Sequence, residues 1–136
     1  MSNAIAIKTH HRLLLTGAAG GLGTALRPRL KHNCEVLRVS DKADVGAAQA
    51  GEEVVQADLA NADDVNAMVA GCDAIVHLGG ISVEAPFAAI LQANIVGAYH
   101  LYEAARLHGV KRVRKWVLSW ESYPSMLQGI APKGKR

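Results

Sequence analysis

Three glycines constrain this chain more than anything else in it. Gly17, Gly20 and Gly23 stand three residues apart. The apolar run Leu13 to Leu15 before them reads as a buried strand, and Leu22, Ala25 and Leu26 after them begin a helical pattern. Strand, glycine turn and helix in that order give each glycine a task. Gly17 lets the chain leave the strand in a tight turn. Gly20, without a Cβ, lets backbone come close to a pyrophosphate. Gly23 lets the helix pack closely on the strand. The N–H groups at the helix start, helped by the helix dipole, then face the phosphates. The stretch points to a dinucleotide-binding loop; the plainer alternative is an ordinary glycine-rich connection.

The rest of the pattern agrees with that beginning. The first strand is expected over about 12–16 and the first helix over about 21–32, with Pro28 inside it removing a hydrogen bond. Strands are expected next at 35–40, 53–57 and 74–78, the last almost wholly apolar and hence buried on both faces. Asn61 is placed to cap a helix whose buried face is Val65, Met68 and Val69, with Gly71 ending it. A long helix is expected from Pro86 to His108, and Phe87, Ile90, Leu91, Ile95, Ala98, Leu101, Tyr102 and Ala105 form one apolar stripe at helical spacing. Residues 111–118 are a candidate fifth strand. Strands alternating with helices imply an α/β fold, a doubly wound parallel sheet of the Rossmann type with helices on both faces, incomplete at about five strands. The expected organisation is a loose arm at 1–11, a nucleotide-binding domain at 12–113 and a basic tail at 114–136.

Charge matters through its distribution. Residues 111–136 hold seven Lys or Arg against one Glu, whereas residues 1–110 hold eight against eleven Asp or Glu. The body is mildly acidic, so nucleic acid is not expected as a partner, since that would need a basic stripe on the folded body. No stretch is long and apolar enough to span a membrane. Residues 1–12 lack the apolar segment of a secretory signal. Cys34 and Cys72 read as two buried reduced thiols, and the expected location is cytoplasmic. The six histidines show no metal-type spacing, and no metal is expected.

The remaining candidates lie at strand ends. Asp41, eighteen residues past Gly23, closes the second strand, where a carboxylate accepts the hydroxyls of an adenosine ribose and favours NAD over NADP. Lys42 beside it weakens that preference slightly. Asp58 closes the third strand near the expected adenine. Gly79 and Gly80 come after the fourth, where backbone can lie against a cofactor. Asn94 is a polar residue on the apolar stripe, placed to hold a water or to order backbone near a reaction centre, with a satisfied core amide the equal alternative. His77 reads as a packed core histidine, and His100 and His108 as residues on helix surfaces.

Taken together, Thr16-Gly17-Ala18-Ala19-Gly20-Gly21-Leu22-Gly23, Asp58-Leu59, His77-Leu78-Gly79-Gly80-Ile81-Ser82-Val83-Glu84 and Asn94-Ile95-Val96-Gly97 resemble the extended short-chain dehydrogenases/reductases, the NAD-dependent epimerase/dehydratase superfamily. Within it the chain is most similar to the bacterial uronate dehydrogenases, on the segment from Gly71 to Phe87. The likeness runs from about Arg12 to Val113. It implies an oxidoreductase that uses NAD to oxidise the C1 hydroxyl of a uronic acid, such as galacturonate or glucuronate, to an aldarolactone. It also implies that Gly17, Gly20, Gly21, Leu22 and Gly23 lie along the pyrophosphate. By the same resemblance Asp41 takes the ribose, Asp58 and Leu59 the adenine, and Leu78, Gly79 and Gly80 pass along the cofactor. Ser82 contacts the substrate carboxylate or hydroxyls.

The chain departs from that family in one respect. The family's base is a tyrosine with a lysine four residues later, which lowers the tyrosine pKa. Here Tyr99 is followed at that spacing by Glu103, Tyr102 by Arg106 and Tyr123 by Leu127. No catalytic residue is therefore assigned. Arg114-Lys115 is expected to break the fifth strand, with Val117 and Leu118 pairing beyond the break and Ser119 standing about two residues late for the family's serine. Two alternatives to an enzyme remain: a catalytically empty NAD-binding or regulatory module, or a non-functional truncated fragment. An exposed sheet edge predicts association into homo-oligomers.

Overall fold

The computed structural model describes residues 8–115. Five parallel strands, β1 (His10–Thr16), β2 (Cys34–Asp41), β3 (Glu52–Gln56), β4 (Ala74–His77) and β5 (Arg112–Lys115), form one sheet in the order β3-β2-β1-β4-β5. The helices are α1 (Gly21–Leu30), α2 (Ala62–Val69), α3 (Phe87–Ile90) and α4 (Gly97–Leu107). A 3₁₀ turn, Lys31–Asn33, ends α1, and a π-helical turn, Leu91–Val96, joins α3 to α4. This is the doubly wound α/β sheet expected from the alternation of strands and helices. Chain order reverses at β1, with β2 and β3 on one side and β4 and β5 on the other, which opens a crevice at the carboxyl ends of β1 and β4.

The sheet separates two cores. Leu13, Leu15, Leu37, Val39 and Ala74 bury one face, and Leu14, Ile75, Val65, Met68, Leu101 and Ala105 bury the other. Consecutive leucines of β1 thus feed opposite layers, as a strand covered on both faces requires. Cys34 belongs to the first layer and Cys72 to the second, so the two free thiols are buried on opposite sides of the sheet. Burial raises both thiol pKa values.

Several boundaries differ from the sequence reading. β1 starts at His10, before the apolar run, because Asp73 accepts the N–H of His11 at 3.0 Å and of Arg12 at 2.9 Å and His10 pairs with Cys34. Arg114 and Lys115 do not break β5: they pair with Val76 and His77 of β4. Ladder bonds use backbone alone, and an edge strand can turn its charges outward. The pairing expected for Val117 and Leu118, the position of Ser119 and most of the expected tail lie outside the described residues, as does most of the N-terminal arm.

The long helix is the main correction. It is interrupted by the π turn, which adds one residue and rotates α4 by about 100° relative to an unbroken α-helix. The predicted single stripe is split as a result. Leu101 and Ala105 are buried, whereas Phe87 is 73% exposed and Ile95 57%.

Long-range ion pairs fasten the sheet's outer elements. Glu52 of β3, its side chain fully buried, accepts from Arg27 of α1 at 2.7 and 2.9 Å and lies 3.1 Å from Lys31. Arg27 also donates to the carbonyls of Val45 and Ala47, pinning the loop between β2 and β3. The Arg27 bonds hold the Glu52 pKa down at about 2, below its ordinary 4.5. A carboxylate held low stabilises the fold above its ordinary pKa, and the contribution drains away as pH falls from about 4.5 toward 2. We expect Glu52→Gln to cost about 2–3 kcal/mol at pH 7 in urea unfolding. The gap from the parent should close as pH approaches 2, and a gap independent of pH would contradict the assignment.

Candidate functional site

Where β1 ends, the chain turns through Gly17 at φ +70°, and the carboxyl ends of β1 to β4 enclose a cleft of about 400 Å³. β1 and its turn contribute Thr16, Gly17 and Gly20 to the cleft, and β2 contributes Ser40, Asp41 and Lys42. The segment after β3 contributes Ala57 to Ala60, the one after β4 Leu78 to Ser82, and α3 with the π turn adds Ala89, Gln92 and Ala93.

The glycines act mainly by what they leave out. A Cβ on Gly17 would stand 2.6 Å from the Leu78 carbonyl carbon and 2.7 Å from the Gly79 nitrogen. The β1 turn therefore presses backbone to backbone on the segment after β4. A Cβ on Gly23 would stand 2.2 Å from the Gly17 carbonyl oxygen, so the first turn of α1 lies on the loop itself rather than on the strand as expected. Gly20 differs, since its Cβ would meet only the Gly17 oxygen at 3.4 Å, leaving room for a ligand. Gly21, Leu22 and Gly23 do not line the cleft. Their contribution is backbone: among the described residues their N–H groups, at the positive end of α1, have no hydrogen-bond acceptor. Three free donors beside an open glycine form a cradle that suits a pyrophosphate.

The wall of the cleft formed after β2 and β3 carries two carboxylates. Asp41 accepts the Ala19 N–H at one oxygen and the Ala43 N–H at the other, both at 3.0 Å. This fixes its position while leaving lone pairs toward the cleft. Asp58 accepts the Ala60 N–H at 2.9 Å and pairs with Lys42 at 3.1 Å. These two contacts, the backbone bond first, hold its carboxyl below the usual carboxylate range. Lys42, which in the sequence counts against Asp41, is thus occupied by Asp58.

The opposite wall is built by side chains clamping backbone. Asn94 in the π turn accepts the Ile81 N–H at 2.7 Å and donates to the Ile81 carbonyl at 2.8 Å. Its amide is satisfied by, and orders, the Ile81 backbone. Gly80, at φ +133°, makes room for that amide, because a Cβ there would meet Asn94 Oδ1 at 2.7 Å. Leu59 is wedged between Gly79 and Gly97, either of which as alanine would place a Cβ 2.8 Å from its side chain. His100 is a correction. Its Nδ1 lies 2.8 Å from the Leu59 carbonyl, so it is half-buried and donates to the cleft wall instead of standing free on the helix surface. His108 is on the surface, bonded to Asn66.

Sequence reasoning passes over Thr16, Gln92 and the role of Gly97. A hydroxyl at the buried end of a strand, immediately before the turn glycine, is the available signal for Thr16. Gln92 carries no signal, since its place depends on the π turn. Among the described residues no cluster of His, Cys, Asp or Glu has metal-site geometry, and no helix is long and apolar enough to cross a membrane.

Residues 13–132 match the family model described as the NAD dependent epimerase/dehydratase family. The uronate dehydrogenase of Agrobacterium fabrum is 62% identical over 102 residues, covering 75% of this chain and 38% of that protein. A crystal structure of uronate dehydrogenase from Agrobacterium tumefaciens, a mutant complexed with NAD, superposes with a TM-score of 0.76 at 60% identity, covering 77% of this chain and 40% of that one. A glucuronic acid dehydrogenase from Chromohalobacter salexigens gives 0.72 at 55% identity, covering 78% and 39%. The chain therefore spans about two fifths of the length of these relatives.

Proposed function

Because the chain belongs to the NAD dependent epimerase/dehydratase family, we propose that its cleft binds NAD and that it is the cofactor-binding portion of an oxidoreductase acting on uronic acids. The observation that carries this reading is the head of α1, where three N–H groups without acceptors among the described residues adjoin the open side of Gly20. Gly17 and Gly23 draw the turn tight and leave those donors for the pyrophosphate. Asp41 accepts the ribose hydroxyls, Asp58 and Leu59 border the adenine, and Leu78 to Gly80 run along the rest of the dinucleotide. Ser82, at the end of that strip, contacts the uronic acid. Bound NAD supplies the hydride acceptor for oxidation at C1. The residues of this chain bind and orient it.

Proton abstraction falls to no residue assigned here. None of the three tyrosines has a lysine four residues on, and a positioned base is typically worth about 10² to 10⁴ in rate. That absence favours, as a second reading, a chain that binds the cofactor without turning over substrate by itself. The test takes the 136-residue chain, labelled with ¹⁵N. NAD should shift the amide signals of Gly20 to Gly23, Asp41 and Leu78 to Ser82, and galacturonate or glucuronate should yield no NADH. Shifts confined to the outer face of α4 would refute the assigned cleft. NADH formed by demonstrably pure chain would show that a base has been overlooked.

A further inference from the structure

His77 reads from sequence as packing, yet its ring is joined to the cleft through one hydroxyl. Thr16 Oγ1 and His77 Nδ1 are 2.6 Å apart and buried. The same oxygen receives the Gly79 N–H at 3.1 Å and the Leu78 N–H at 3.2 Å, the latter shared with the Thr16 carbonyl at 3.3 Å. A threonine hydroxyl has one proton and two lone pairs. Two N–H groups take the lone pairs, so the proton must go to His77, and Nδ1 must be an acceptor.

We propose that His77 is a positioning residue for the cleft: by accepting the Thr16 proton at Nδ1 it locks the hydroxyl so that its lone pairs hold Leu78 and Gly79 in place. The tautomer is set by that count of donors, with the ring proton on Nε2. His100 carries the opposite tautomer, since its Nδ1 faces a carbonyl, which can only accept. A protonated His77 would bring a third donor to an oxygen already receiving two. The surroundings keep the ring neutral: burial first, then the charge of Lys115, its partner across the β4–β5 ladder, hold its pKa down at about 4. The consequence for ligand binding rests on the reading that NAD lies along Leu78 to Gly80.

The test separates the two claims. In the ligand-free 136-residue chain at pH 7, ¹⁵N imidazole spectra should show His77 protonated at Nε2 alone. His77→Leu removes the acceptor and should speed amide exchange at Leu78 and Gly79 by about tenfold, the worth of one buried hydrogen bond. His77→Asn, whose amide oxygen takes the place of Nδ1, should restore most of that protection. NAD affinity should fall with His77→Leu and recover with His77→Asn in the same order. An Nδ1-protonated ring in the parent chain, or unchanged exchange in a folded His77→Leu variant, would overturn the assignment. If His77→Leu does not fold, the parent tautomer and the asparagine variant decide. The stated tautomer and exchange pattern in a chain that binds no NAD would uphold His77 and count against the cofactor reading instead.

Discussion

Gly17→Ala should remove cooperative folding or lower the thermal midpoint by about 15 °C or more. Two effects add. The residue sits at φ +70°, where a side chain costs about 1–2 kcal/mol. Its Cβ would also stand 2.6 Å from the Leu78 carbonyl carbon, an atom of backbone with no rotamer to move aside. Relieving that overlap means pulling the β1 turn from the segment after β4, which opens the cleft and strains the Thr16 bonds to Leu78 and Gly79. The total is several kcal/mol, a large share of the roughly 5–15 kcal/mol that holds a domain together. Gly46→Ala is the control. Its φ is +77°, but no atom of the described residues lies within 4 Å of the added Cβ. It should cost only the conformational penalty, about 1–2 kcal/mol. Thermal unfolding followed by circular dichroism separates the two, and equal losses would mean that the close approach to Leu78 is not what requires the glycine.

Asp41→Ala should abolish a preference for NAD over NADP of about tenfold to a hundredfold, the worth of charge-assisted hydrogen bonds to the ribose. The carboxylate cannot swing aside to admit a 2′-phosphate, because Ala19 and Ala43 hold one oxygen each. On the proposed reading its charge therefore stays where the added phosphate would lie. Lys42 does not offset it while paired with Asp58. Asp58→Asn, which releases Lys42, should narrow the preference without removing it. Affinities for both cofactors measured on the three chains check this order, and an Asp41→Ala chain that still favours NAD as strongly as the parent would break it.

The features legible in the sequence are local ones. The glycine triplet can be read because a tight turn and close backbone contact each exclude a Cβ. The Asn61 cap can be read because a side-chain oxygen must meet the Asp64 N–H, as it does at 3.0 Å. Asp41 and Asp58 can be placed because strand ends in a parallel sheet face one edge. The hidden features depend on distant partners. No residue between Leu91 and Val96 announces a π turn, so the helix reads as one stripe and Ile95 falls on the same face as Leu101. The Glu52 cluster joins residues 21 and 25 positions apart, and the Asn94 clamp on Ile81 needs the π turn to exist first. His77 and His100 illustrate the same limit. His77 is buried in β4 and His100 half-buried on α4, and only the acceptor or donor opposite each Nδ1 decides what the ring does.

Calorimetric titration of the 136-residue chain with NAD and with NADP tests the cleft assignment most directly. The account predicts saturable heat at one NAD per chain, and NADP at least about tenfold weaker, consistent with a fixed carboxylate at the ribose position. No saturable heat with NAD, or equal affinity for the two cofactors, would contradict it.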